Sequence, residues 1–174
     1  MANIYFIGGI HGVGKGTICS KVCEQTNLLH LTASELIKWN EISAIDNKKV
    51  ENIQNTQDRL ISGLNNVTKT NESYLLDGHF CLFNAKGSVE KIPFHTFVKI
   101  APKLIIVVSS NIELIKQRLE KRDNKVYDSE VLNNMQNTEK EYAKEIATLL
   151  RIPFVEIKNG DFQLLIKAIQ WEHY

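Results

Sequence analysis

Residues 8–17 read GGIHGVGKGT. Immediately before them stands an apolar run, Ile4-Tyr5-Phe6-Ile7, the mark of a short buried strand. After them, Ile18, Cys19, Val22 and Cys23 share one face of a helix. A strand, a glycine-rich turn and a helix start form the setting in which backbone amides gather around an anion. Glycines let the chain bend so that successive N–H groups point inward. The helix N-terminus adds unpaired donors and a partial positive charge. Lys15 adds a full charge that reaches terminal phosphates. The expected polyphosphate cradle is therefore Gly9, His11, Gly12, Val13, Gly14, Lys15, Gly16 and Thr17.

The spacing Gly9-x4-Gly14-Lys15 fits a phosphate-binding loop with one departure. A hydroxyl is wanted directly after the lysine to ligate magnesium. Gly16 stands there, and the hydroxyl comes one residue later, at Thr17. The form GxGKGT resembles adenylate kinase and related nucleoside monophosphate kinases. That resemblance implies ATP and Mg2+ as cofactors, with Thr17 near the metal or its water shell.

The remaining composition narrows the class. A chain of 174 residues suggests one domain, 1–174, able to bury about 70% of its unfolded surface. The net charge of +1 gives no field favouring nucleic acid or an anionic membrane. There is no basic stripe or aromatic platform for a nucleic-acid partner. No run has the length of a membrane span, and the apolar N-terminus reads as strand and not as signal. Cys19, Cys23 and Cys81 read as reduced thiols, which places the chain in the cytoplasm.

Leu28–Leu31 reads as a second buried strand. Thr32 and Glu35 then fit a capping box, with Leu31 and Leu36 as its hydrophobic staple. The segment TASELIK resembles the acceptor site of adenylate kinases. The resemblance gives Thr32, Ser34 and Lys38 as acceptor contacts, with Lys38 in place of an arginine and so without its planar fork. Val50, Ile53, Gln57, Leu60, Leu64 and Val67 follow at helical spacing. Residues 33–70 occupy the place of an acceptor-binding helical insert.

Tyr74-Leu75-Leu76-Asp77 is an apolar strand ending in a carboxylate. At that place a carboxylate can organise magnesium, directly or through water. His79 follows in DGHF, where the family has an apolar residue and then an arginine. It is read as an acceptor contact or proton relay, with a hydrogen-bonded structural histidine as the equal alternative. Residues 80–92 read as a hairpin turning at Asn84–Gly87. Leu104–Val108 is a central strand, and Asn111 caps a helix running through Asp123. On that helix Arg118 and Arg122 share a face. IKQRLEKRD resembles the R-L-x-x-R of nucleotide kinases, which implies contact with the moving phosphoryl group. Residues 122–128 leave room only for a short lid.

The helix expected over 129–150 has an apolar face of Val131, Leu132, Met135, Tyr142, Ile146 and Leu149. A strand at 153–157 and a helix over 162–171 close the chain. The alternation predicts a three-layer α/β/α fold with a five-stranded parallel sheet. The likeness to short-lid, archaeal-type adenylate kinases implies P-loop strand order 2-3-1-4-5. It also implies transfer of the γ-phosphoryl of ATP to a small acceptor, most simply a nucleoside monophosphate. Lys15, Asp77, Arg118 and Arg122 would be catalytic, and Thr17 and Asp77 would serve the metal. Two other readings stay open: a nucleotide-binding switch or slow ATPase acting through a protein partner, and a kinase of a non-nucleotide small molecule.

Overall fold

In the computed structural model, residues 2–37, 53–84 and 87–171 are described. Five parallel strands form the central sheet: β1 (Asn3–Gly8), β2 (Leu29–Thr32), β3 (Ser73–Asp77), β6 (Leu104–Ser109) and β7 (Phe154–Lys158). Their order is β2-β3-β1-β6-β7. With the two hairpin strands β4 (Cys81–Phe83) and β5 (Val89–Lys91) set aside, this is the expected 2-3-1-4-5. Pairing of Ile7 and Thr32 with Asp77, and of Gly8 with Val107, brings the strand ends to one edge. Parallel strands place their loops there, and the crevice at such an edge is where ligands sit.

The central strands are apolar throughout because both faces are covered. Every residue of β6 is buried. The covering helices are α1 (Lys15–Gln25), α4 (Phe94–Ile100), α5 (Ile112–Asp123), α6 (Ser129–Leu150) and α7 (Phe162–Trp171). Between β2 and β3 lie α2 (Ala33–Leu36) and α3 (Ile53–Val67). Phe97 packs edge-on to Phe6, at 5.3 Å between ring centroids, and to Tyr142 at 6.1 Å; Phe80 stacks on it at 5.7 Å. This aromatic cluster fixes the sheet against α4 and α6 directly behind the crevice.

Two expectations about burial need correction. The second strand is not a buried strand: β2 stands at the sheet edge, and Leu29 is exposed. On α6, Val131 and Leu149 are exposed, whereas Gln136 and Glu139 are buried. The face is rotated because α6 serves two polar appointments. Gln136 accepts from Ser110 N and donates to Ser110 O, both at 3.0 Å, at the end of β6. Glu139 meets the chain after β3.

The caps agree with the sequence. Thr32 Oγ1 accepts from Glu35 N at 3.4 Å, and Asn111 Oδ1 accepts from Glu113 N at 2.9 Å. Asp128 Oδ1 accepts from Glu130 N at 2.7 Å and starts α6. Five residues, Asn124–Asp128, separate α5 from α6. The hairpin turn holds through Gly87 N, which donates to Asn84 O at 2.9 Å. The expected helix positions before Ile53 lie outside the described residues.

Candidate active site

Gly9, Gly12 and Gly14 take φ of 149°, 77° and 103°, values that side chains resist. Gly14 in the left-handed region is the N-cap of α1 and turns the chain from loop into helix. A side chain at Gly12 would also collide with Leu119, at 2.9 Å. The resulting cavity is about 460 Å3. Gly12, Gly14, Lys15, Gly16 and Thr17 line it from below, Asp77 from β3, and Arg118 and Arg122 from α5. Residues at a helix start turn unpaired N–H groups outward, the arrangement that suits an anion.

Lys15 is only 8% exposed. Its Nζ donates to Gly9 O at 2.8 Å and to Ile10 O at 3.4 Å, and lies 4.0 Å from Asp77 Oδ1. Burial lowers its pKa, a trend opposed by Asp77. Burial raises the Asp77 carboxyl, opposed by Lys15 and His30. Both charges are therefore short of solvation, and a polyphosphate with its metal would relieve both. Thr17 and Asp77 offer oxygen donors on this wall, the donor type that hard Mg2+ takes.

The two arginines behave differently. Arg118 Nη1 donates to Gly12 O at 3.2 Å, so it already touches the loop. Arg122 is forked onto Asp123, with Nε to Oδ1 at 2.6 Å and Nη2 to Oδ2 at 2.8 Å. Tyr127 Oη donates to the same carboxylate at 2.6 Å.

A second cavity of about 340 Å3 adjoins the first. Phe6, Leu60, Leu82, Phe83, Ile92 and Phe97 make most of its wall. His11, Ala33, Ser34, Gly78 and His79 line both spaces. Among the described residues, two buried oxygens on this second cavity, Gln57 Oε1 and Thr96 Oγ1, have no hydrogen-bond partner, and His79 Nδ1 faces the Glu139 carboxylate at 3.6 Å. Buried polar groups are normally paired, so the two oxygens stand out on the wall of this void.

Of the residues expected at the acceptor, Ser34 and His79 border both cavities and Thr32 borders the phosphate cavity. Lys38 lies outside the described residues. Of the expected cradle, Gly9 and Val13 do not line the cavity. Val13 buries its side chain, and Gly9 turns its carbonyl to Lys15.

Glu139 was not anticipated. It is fully buried and accepts from Phe80 N at 2.9 Å and Cys81 N at 3.3 Å. Its Oε1 is 3.6 Å from His79 Nδ1. Burial drives its pKa up to about 7, against the pull of the Phe80 amide and Lys15. The His79 imidazole is pushed down to about 3 by burial and by Lys15. His11, expected in the phosphate cradle, lays its ring beside His79 with centroids 4.3 Å apart. The signal for Glu139 was available. It stands four residues after Met135 and seven after Leu132, a carboxylate on an otherwise apolar face.

The profile of the AAA domain family (AAA_17) matches residues 8–136. A stretch of 38 residues is 47% identical to UMP-CMP kinase 2 of Caenorhabditis elegans. That stretch is 22% of this chain and only 20% of the relative's length. Solved structures resemble the whole chain. A shikimate kinase from Acinetobacter baumannii in complex with shikimate has a TM-score of 0.59 at 22% identity, over 97% of this chain and 90% of that one. A gluconokinase from Sinorhizobium meliloti 1021 has 0.55 at 10% identity, over 99% and 98%. An uncharacterized protein from Eubacterium ventriosum has 0.51 at 14% identity, over 98% and 97%. At these identities the likeness concerns the fold, which is that of the P-loop kinases.

Proposed function

The chain belongs to the AAA domain family, and we propose that it is a kinase moving the γ-phosphoryl group of ATP to a small acceptor. The observation that carries this reading is the union of two spaces. A phosphate cradle with Lys15, Asp77, Arg118 and Arg122 opens onto an apolar chamber where the oxygens of Gln57 and Thr96 lack a partner among the described residues. A nucleotide switch has no need of the second chamber.

In this reading the residues work mostly by position and charge. The loop amides and Lys15 hold the β- and γ-phosphates, and Lys15 exchanges its bond to Gly9 O for phosphate oxygen. Thr17 and Asp77 hold the metal or its waters. Mg2+, when bound, neutralises charge on the phosphate oxygens. Arg118 sits on the loop where the leaving side of the transfer would lie, and Arg122 swings from Asp123 to cover the other side. Thr32, Ser34 and His79, together with Lys38, would orient the acceptor at the join of the two cavities.

The chamber's wall of Phe6, Phe83 and Phe97 suits a flat aromatic ring better than a polyhydroxy acid. A nucleoside monophosphate fits this description, its base in the chamber and its phosphate at Ser34 and His79. Three free cysteines suit a reducing, cytoplasmic setting, and among the described residues no helix is long and apolar enough to cross a membrane.

Product analysis tests the proposal. The chain is incubated with Mg·ATP and a panel of nucleoside monophosphates, nucleosides and sugar acids. Formation of a phosphorylated acceptor with matching ADP supports it. Release of ADP and inorganic phosphate alone, with every acceptor unchanged, would mean a switch or slow ATPase.

A further inference from the structure

Three side chains converge at the carboxyl ends of β2 and β3. Cys19 stands one helical turn beyond Lys15 on α1, His30 lies on the edge strand β2, and Asp77 ends β3. The Cys19 sulfur, an imidazole nitrogen of His30 and a carboxylate oxygen of Asp77 all lie within 4.8 Å of one another. His30 Nε2 is 4.0 Å from Asp77 Oδ2. Cys19 is fully buried, Asp77 partly so, and His30 is exposed. The cluster therefore has a floor of sulfur and a mouth at the imidazole.

We infer that Cys19, His30 and Asp77 form a binding site for a thiophilic divalent ion of the Zn2+ type. Three protein ligands with a fourth place for water is a coordination that zinc adopts. Sulfur and imidazole select Zn2+ or Co2+ over Mg2+, which takes oxygen. Ordinary bond lengths of about 2.0–2.3 Å place tetrahedral ligand atoms about 3.5 Å apart. The ligand atoms, within 4.8 Å of one another, have to draw in by up to roughly an ångström; the exposed His30 ring can swing inward, and the Asp77 carboxylate can turn toward the buried sulfur. As the metal–sulfur bond forms, the S–H bond of Cys19 breaks and its proton leaves to solvent. Asp77 turns from Lys15 to the ion.

The binding stands apart from the kinase reading, but its consequence rests on it. If Asp77 organises Mg2+ for phosphoryl transfer, an ion held by Cys19 and His30 takes Asp77 out of that role. Zn2+ would then inhibit at concentrations far below those of Mg2+, and a chelator would restore activity.

Co2+ titration of the full chain, in excess Mg2+ and with a thiol-free reductant, reads the site directly. The expected result is one equivalent of Co2+ giving a thiolate-to-cobalt charge-transfer band that Zn2+ bleaches. Cys19→Ser should abolish the band, His30→Ala should weaken binding at least about 10-fold, and Cys23→Ser should leave both unchanged. Circular dichroism of the metal-free variants checks their fold. Should Cys19→Ser fail to fold, the surface variant His30→Ala decides alone. Absence of the band, its persistence in folded Cys19→Ser, or its indifference to His30→Ala would overturn the site. Stoichiometric binding with no effect on phosphoryl transfer would keep the site and remove Asp77 from the mechanism.

Discussion

Oε1 of Glu139 faces Nδ1 of His79 at 3.6 Å. A carboxylate facing an imidazole lone pair is unfavourable, and a proton between them removes the conflict. Burial away from water holds the Glu139 proton up to about pH 7, against the pull of the Phe80 amide and Lys15, whereas an unfolded glutamate releases it near 4.5. The folded pKa is the higher one. The stability this proton contributes is complete below about 4.5 and is lost as pH rises through 7. His79 acts in the opposite direction, since its pKa falls to about 3 and its contribution is lost as pH drops below 6.5.

Glu139→Gln separates the two effects. The amide keeps the bond from Phe80 N and donates toward His79, but its nitrogen replaces the oxygen that accepts from Cys81 N. The variant should start below the parent near pH 5, for want of that bond, and gain on it by about 2 kcal/mol between pH 5 and pH 7, from about 1.4 kcal/mol per pH unit. Urea denaturation from pH 5 to 8 measures the difference. Parallel stability curves for the two proteins would contradict the shared proton.

Gly63 on α3 admits no side chain. A Cβ there would lie 2.4 Å from Leu36 O, a backbone atom of α2 that cannot swing aside. Gly63→Ala should cost about 1–3 kcal/mol and lower Tm by several degrees. Because α2 carries Ser34 and begins at Thr32, the acceptor KM should rise as well. An unchanged melting curve would show that α2 and α3 are not locked together at this contact.

Thr96 and Gln57 predict a different split. Their orphaned oxygens cost stability in the empty chamber and gain a partner only with a ligand. Thr96→Val, nearly the same in shape, should leave stability equal or higher. It should raise the acceptor KM roughly 3- to 10-fold, the worth of one hydrogen bond. Thermal melts and acceptor titrations of the same preparation test this. Lost stability with unchanged KM would place the hydroxyl in the fold and not in the site.

The sequence made the sheet legible because its strands are apolar runs and its turns carry strong chemistry. The places of Lys15 at a helix start and Asp77 at a strand end were readable for the same reason, and Arg118 and Arg122 were placed on one helix face by their spacing of four. The acceptor chamber was not. Its wall draws on Phe6, Leu60, Phe83 and Phe97, residues whose spacing already has a sufficient explanation in the core. Thr96 and Gln57 become site candidates only when the chain folds them around a void. Leu28–Leu31 misled because an apolar run looks alike at a sheet's centre and at its edge. Glu139 carried a signal in its spacing from Leu132 and Met135, but its neighbours Lys140 and Glu141 made the stretch look solvated.

Arg118 is the one arginine of its pair that touches the loop, through Gly12 O. Arg118→Ala should lower kcat by about 10³, the low end of the range for an arginine stabilising phosphoryl transfer. Arg118→Lys should recover little, since an ammonium lacks the fork. A change below about 3-fold in either variant would make Arg118 a strut for the loop and no part of the transfer.

The central claim is that Gly12–Thr17 and Lys15 enclose a polyphosphate. Calorimetric titration with Mg2+ and an unreactive ATP analogue tests it most directly. The parent chain should bind one equivalent, and Lys15→Ala, folded by circular dichroism, should lose at least about 100-fold in affinity, or about 2.7 kcal/mol. Equal binding by the two proteins, or no binding by the parent, would contradict the account.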